Sequence, residues 1–388
     1  MAAPVGRMGQ FQDGDPLPAS EQKPALYTLL ATAAVLMAVY WNQFVYTRGF
    51  WDEPSYSHGW LIPYIGIFLL WVQRRPLGGP VSEAQEKENL ISIIIPTGVA
   101  AGCYLVGKSL EMPVFYSVGW LAYGTALLVG LWRVFSYHEF ERVEPWERWV
   151  GGVLVIASIA VRVWATYNDQ QPVDQLSFMS ALFGAFMMCG GLTLIKRMWM
   201  SLLFFIFIFP LPSAVGNNVL PFLQKLAAVG STFVLQAMGV AAHREGNTIA
   251  IDGLSTKLDV AEACSGMAMV TIISAMTLAM VVIIDRPWWD KLVFMLLAIP
   301  NALFVNLCRI VIIALLYRMA DGTSYSDAVH EAHDGTAMAA ALLGIAAGLI
   351  YLEYRILTAI TVEEGEETRQ AGSLIGVSAV KTPAKGKG

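Results

Sequence analysis

The sequence predicts an all-α polytopic membrane protein of about ten transmembrane helices, with a small external helix/β-hairpin insert. Three observations carry that expectation. First, 56% of the 388 residues are hydrophobic and only 14% are charged, against roughly 25% charged in ordinary soluble domains; mean hydropathy is +0.55. Second, ten stretches contain no Asp, Glu, Lys or Arg and approach the length of a bilayer crossing. Third, Lys and Arg fall unevenly between the two sides that those stretches define. A net charge of −5 without a basic block excludes a nucleic-acid binder. Disorder is excluded except at the ends. Cys103, Cys189, Cys264 and Cys308 lie far apart without CxxC spacing, which fits neither a disulfide framework nor a zinc site.

A helix needs about 20 apolar residues to cross the bilayer. The charge-free stretches are 24–47, 54–73, 89–107, 112–132, 149–161, 175–195, 198–224, 263–284, 292–308 and 335–352. Arg162 interrupts the fifth and Arg309 the ninth. Both continue apolar beyond the arginine (Val163-Trp164-Ala165; Ile310 to Tyr317), so both are read as spans. The first is too long for a removable signal peptide and lacks a cleavage pattern. With a cytoplasmic N-terminus, 17 of the 25 Lys and Arg residues fall on the inner side, the Arg74-Arg75 and Lys196-Arg197 pairs among them. The positive-inside rule therefore puts both termini in the cytoplasm. Residues 1–23 form a cytoplasmic tail, 24–360 the membrane domain, and 361–388 a cytoplasmic tail expected to be disordered.

One region departs from simple spans. Met198 to Ala214 is apolar and broken by Pro210-Leu211-Pro212; Phe222 to Val240 is helical but milder. Gly246 to Gly253 and Leu254 to Val260 alternate apolar with polar residues around Asp252-Gly253, the pattern of a β-hairpin. An unpaired hairpin has no place in lipid. Residues 214–262 are therefore expected outside, as an interfacial helix plus hairpin.

The hairpin leads into Ala261-Glu262-Ala263-Cys264-Ser265-Gly266 and then an apolar helix. Cys264 thus sits at a helix N-terminus, where unpaired N–H groups and the helix dipole lower a thiol pKa and can hold an oxyanion. Taken alone, it also reads as a small residue at a helix start. Arg309, with Asn306 one turn earlier on the same face, lies in an apolar helix about two turns below its outer end. An intramembrane arginine is a functional candidate by default; a snorkelling anchor is the alternative. His330 and His333 open the last span. Their HExH spacing is not the HExxH of zincins, which leaves a general base or imidazolium partner, or exposed loop histidines. Tyr56-Ser57-His58-Gly59 opens the second span, as a site element or as part of an interfacial aromatic belt. The span count puts Cys264, Arg309, His333 and His58 on one membrane face.

Ala263-Cys264-Ser265-Gly266, Asn306 to Arg309, and a histidine at the start of the last helix resemble the exosortase/archaeosortase family. Tyr56-Ser57-His58-Gly59 with Pro63 and Arg74-Arg75 is similar to its N-terminal motif, and the likeness extends over roughly residues 40–355. The resemblance implies a multi-pass cysteine protease or transpeptidase of the bacterial inner membrane. Such enzymes process C-terminal sorting signals of exported proteins: a Pro-Glu-Pro motif, a transmembrane helix and a basic cluster. It implies a Cys–Arg–His triad, here Cys264, Arg309 and His333, with no metal or organic cofactor. His330 competes with His333, which is preferred because Asp334 follows it and the helix runs on directly. His330, Asn306, His58 and Ser265 are supporting candidates. The alternative is a polytopic transporter or binding protein, for which intramembrane Arg309 and Pro-broken helices would suit a substrate pathway; the internal repeats that such a fold would favour are not found.

Overall fold

The computed structural model describes residues 15–51, 56–77, 113–252, 258–259, 266–284, 286–320 and 342–359, with isolated positions between 82 and 106. The chain is mostly helical. α1 (Ala19–Val39) and α2 (Trp41–Trp51) run almost without a break, since Tyr40 and Phe44 still donate to the carbonyls four residues back. A 3₁₀ turn, Ser57–Trp60, leads into α3 (Ile62–Gln73), which has Pro63 in its first turn, where no N–H is needed. Then come α4 (Pro113–Ser136), α5 (Pro145–Tyr167) and α6 (Gln171–Phe204), followed by a second 3₁₀ turn, Phe205–Ile208. α7 (Ser213–Ala237) starts directly after Pro212. Strands β1 (Ala242–Glu245), β2 (Thr248–Ile251) and β3 (Leu258–Asp259) precede α8 (Gly266–Ile283), α9 (Trp288–Ala320) and α10 (Leu342–Ala359).

Among the described residues, six helices are long and apolar enough to cross a membrane: α1, α4, α5, α6 with its 3₁₀ extension, α9 and α10. α3 and α8 are apolar but shorter. The sequence count of about ten is thus not matched helix for helix. Stretch 89–107 lies largely outside the described residues. Stretches 175–195 and 198–224 meet within α6, which the backbone folds back on itself.

That reversal sits at Gly191, whose φ of 65° and ψ of −168° interrupt the helix. Before it, α6 runs antiparallel to α5: Asp174 faces Arg162, and Gly184 and Met188 press on Gly151. After it, the chain runs antiparallel to α3. Ser201 donates to Gln73 at 2.6 Å, Phe205 lies against Gly66, and the Trp51 indole donates to the Ile208 carbonyl. The two limbs share their packing. Phe186 and Cys189 cluster with Leu194, Met198 and Leu202, while Phe178 and Met179 cluster with Phe204 and Ile208. At ~1.5 Å per residue the first limb is about 30 Å long and the returning limb, with its 3₁₀ turn, about 26 Å, close to the thickness of a bilayer core. Glu147 makes the turn possible. One carboxylate oxygen accepts the Glu144 N–H at 3.0 Å, closing a capping box on α5. The other accepts the Leu192 N–H at 3.2 Å, the first amide of the returning limb.

A second polar assembly gathers at this end of the bundle. Segments 74–77 and 15–17 both pair in ladder fashion with 137–142, through Leu77 N–H to Tyr137 O, Glu139 N–H to Arg75 O, Leu17 N–H to Phe140 O and Arg142 N–H to Asp15 O. Arg75 bridges Glu139 at 2.7 Å and Glu141 at 3.0 Å, and Arg197 reaches Glu141 at 3.3 Å. Arg74 lies over the Trp71 ring at 3.3 Å. His138 is buried here, its Nδ1 accepting the Arg75 N–H at 3.1 Å. Burial first, then the charges of Arg197, Arg75 and Arg74, lower its pKa to about 3.

Half-way round the bundle, α5 turns Val150, Val153, Ile156 and Val163 outward, with Trp146 and Trp149 at one end of that stripe and Trp164 and Tyr167 at the other. This is the arrangement of a lipid-facing helix with aromatic residues at both interfaces.

The sheet differs from the expected hairpin in where it turns. Its order is β1-β2-β3, antiparallel throughout. The tight turn is Gly246-Asn247, with Gly246 at φ 67°, and it joins β1 to β2. β2 and β3 do pair, Thr248 with Asp259 and Ile249 with Leu258, but across a longer connection than a two-residue turn at Asp252-Gly253. A two-residue hairpin loop needs φ > 0 at its first central position, which Gly246 supplies without strain. α7, expected at the interface, packs on α8, α9 and β1.

Two outcomes follow. Gly191→Ala puts a Cβ 2.6 Å from Glu147 Oε2 in a backbone region that costs an L-residue about 1–3 kcal/mol. Its melting temperature in detergent is expected to fall, while Gly152→Ala, whose Cβ would meet only Met188 Sδ at 3.9 Å, leaves it unchanged; equal behaviour of the two would remove the reversal from the stability argument. For His138, the unfolded imidazole takes up its proton near pH 6.5 while the folded one resists to about 3. Its contribution is complete above pH 6.5 and is lost as pH falls through that window. His138→Asn keeps an acceptor for Arg75 and removes the titration, so thermal melts between those pH values should show a shallower acid decline than wild type.

Candidate active site

α9 is a 33-residue helix with Pro300 inside it, where one backbone hydrogen bond is forfeited. Asn306 and Arg309 follow on one face, as their spacing requires. Two packing clusters fix this turn. On one flank, Ala302 and Val305 meet Met269 and Ile273 from the first half of α8 and Leu342 and Ala346 from α10. On the other, Ile310, Val311, Ile313 and Ala314 pack on Ala227, Ala228 and Leu235 of α7 and on Ala242, Ile249 and Ile251 of the sheet. Small residues allow the close approach: a Cβ on Gly230 of α7 would lie 2.8 Å from Leu307 Cδ1.

α10 lies antiparallel to α9. Its far half is tied by Asn301 Nδ2 donating to Glu353 Oε1 at 2.6 Å and by Arg286 hydrogen-bonding Thr358. α8 also lies antiparallel to α9, with Met269 near Val305. The N-terminal turn of α8 and the first described turn of α10 are thus brought to the Asn306–Arg309 level. A helix N-terminus carries a partial positive charge and unpaired N–H groups. Such a terminus favours an anion or a developing oxyanion.

Of the residues singled out in the sequence, Asn306 is 2% exposed. Its Oδ1 is buried without a hydrogen-bond partner among the described residues, and so is Arg309 Nε. His58 lies in the Ser57–Trp60 turn, half-buried, beside Tyr56 at 6.3 Å between rings; its Nδ1 likewise has no partner there. No hydrogen bond or ring contact among the described residues joins His58 to Arg309 or Asn306. Cys264, Ser265, His330 and His333 lie outside the described residues.

Arg162, the other arginine inside an apolar stretch, is a different case. Its guanidinium donates to both Asp174 oxygens at 2.8 and 2.9 Å and stands 4.5 Å over the Tyr40 ring. It is spent on structure. The Asn301–Glu353 pair escapes a reading by charge-free stretches, because such a count ends the last span before Glu353, whereas α10 continues to Ala359. Two polar residues within apolar helices are the signal that could have found it.

A family model described as transmembrane exosortase matches residues 113–347. That covers more than half of the chain and includes Cys264, Asn306, Arg309, His330 and His333, although not His58. Comparison with curated proteins and with solved structures gives no match. With most of its helical membrane domain inside the match, the chain belongs to the transmembrane exosortase family.

Proposed function

We propose that this protein is a membrane-embedded cysteine protease or transpeptidase that cleaves C-terminal sorting signals of exported proteins, of the Pro-Glu-Pro, transmembrane helix and basic cluster type. The family is one of peptidases and transpeptidases, and the chain carries helices fit to cross a membrane. The observation that supports the mechanism is the meeting of α8, α9 and α10 in one cluster at Ala302 and Val305, directly before Asn306 and Arg309 in α9. α8 directly follows Cys264 in sequence, and α10 follows His330 and His333.

In this reading His333 takes the Cys264 thiol proton, and the thiolate attacks the scissile carbonyl. Arg309 stabilises the oxyanion, aided by the α8 N-terminus. The imidazolium returns its proton to the leaving amine, and a thioester remains on Cys264. Water then gives hydrolysis, or an amine gives transpeptidation. The site faces the outer side of a bacterial inner membrane, across from the arginine-rich loops, in a bundle of about ten crossings.

The test is processing of a reporter ending in that tripartite signal. Cys264→Ala and Cys264→Ser are expected to abolish it while the protein stays inserted. Joint replacement of Cys103, Cys189 and Cys308 should leave most of it; the opposite pattern would name the wrong cysteine. Arg309→Lys keeps charge but loses the planar fork. It should fail almost as fully as Arg309→Ala, and a fully active lysine variant would reduce Arg309 to a charge or an anchor. His333→Ala should lose about 10²-fold or more and His330→Ala much less. The reverse result would move the base by three residues, and two active variants would leave histidine out of the mechanism.

A further inference from the structure

Several buried polar atoms of the bundle, Gln43 Nε2, Gln171 Oε1 and Glu353 Oε2 among them, lack a partner among the described residues; Asn306 and Arg309 put an acceptor and a donor of this kind one turn apart on one helix face. The hydroxyls of Thr47, Ser231 and Thr277 can rotate toward the carbonyl one turn back in their own helices. Asn306 Oδ1 has no such recourse. It is an acceptor in mid-helix, where every neighbouring backbone N–H is already engaged by the helix. Arg309 Nε–H is a donor one turn along the same face, and it does not turn to Asn306 either. An unpaired acceptor and an unpaired donor therefore stand side by side, about 4.5 Å apart along the axis, in a chain whose surroundings are hydrocarbon. There an unmade hydrogen bond is costly.

A residue of extended peptide presents a donor and an acceptor together on one edge, as in the paired residues of an antiparallel ladder. A helical residue does not, because its N–H and C=O are satisfied within the helix. We propose that Asn306 and Arg309 together hold one extended residue of the substrate, Asn306 Oδ1 accepting its N–H and the Arg309 guanidinium donating to its C=O. The site thereby selects a segment that has left the helical state. This deepens the peptidase reading and rests on it. Asn306 then contacts substrate in the ground state, and its loss appears in KM.

The experiment uses the full chain in phospholipid vesicles with the tripartite reporter. Asn306→Leu preserves shape and removes both polar atoms. It should raise KM about tenfold, the size of one net hydrogen bond, with kcat and the pH profile unchanged. The melting temperature should hold or rise, since no bond within the protein is lost; Asn306→Ala provides a second variant should the leucine fail to insert. Proline scanned through the reporter near the cut removes one N–H at a time. At the bound position it should cost wild type about as much as Asn306→Leu does, and cost the variant nothing more. An unchanged KM overturns the proposal. So does a loss confined to kcat with a displaced pH profile, which would make Asn306 an orienter of the imidazole. So does a fall in melting temperature that tracks the loss of processing, which would make the amide structural. Processing by Cys264→Ala would instead overturn the peptidase reading, whatever Asn306 does.

Discussion

Glu147 is a single buried carboxylate that closes two helix N-termini. In water each of those amides could be left to solvent. At the edge of a bilayer they need a protein acceptor, and one side chain serves both. The consequence is geometric. With α5 and the returning limb of α6 started from the same carboxylate, Gly191 can reverse the chain in a single residue. The two limbs of α6 then fill the space between α5 and α3. The clusters around Phe178 and Phe186 and the seats of Ser201, Phe205 and Ile208 all follow from that reversal.

The same accounting of polar groups separates structural arginines from the candidate functional one. Arg75 and Arg197 are held by Glu139 and Glu141, Arg74 by the Trp71 ring and carbonyl, and Arg162 by Asp174. Arg75, Arg197 and Arg162 are matched by carboxylates of the chain itself, and Arg74 is held by an aromatic face and a carbonyl. Arg309 Nε and Asn306 Oδ1 are not matched among the described residues, although packed clusters lie on both sides of them along α9. A buried donor and acceptor kept open by tight packing are what preorganisation for an incoming group requires.

Much of this is legible in the sequence. The apolar stretches mark the helices, the apolar residues beyond Arg162 and Arg309 place both arginines inside spans, and four short motifs point to the family. Three features are not legible. The reversal at Gly191 hides because Gly190-Gly191 reads as two small residues in an apolar run, and its cause, Glu147, lies far back in the chain. The tight turn reads as Asp252-Gly253 because two turn pairs stand six residues apart, and Gly246-Asn247 opens the alternating run while Asp252-Gly253 sits inside it. The fate of each arginine is hidden for a more general reason: a sequence shows the charge, while only the fold shows its partner. For the candidate site, Asn306 and Arg309 stand out by their i, i+3 spacing, but the convergence of α8 and α10 on them depends on Ala302 and Ala346 being small.

The Arg162–Asp174 pair also bears on how the chain enters the membrane. An arginine inside a lone helix disfavours insertion, by roughly 2.5–3.5 kcal/mol at the helix centre and by less near the end, where Arg162 lies five residues before Tyr167. α5 reaches the translocation machinery with that arginine unpaired, and its partner emerges only after the Asn168-Asp169-Gln170 turn, on the next helix. Once both are present, the bidentate contact withdraws the charge from lipid. α5 and the first limb of α6 are therefore a single unit of insertion, and the short turn between them keeps the delay between arginine and aspartate to about three helical turns of synthesis.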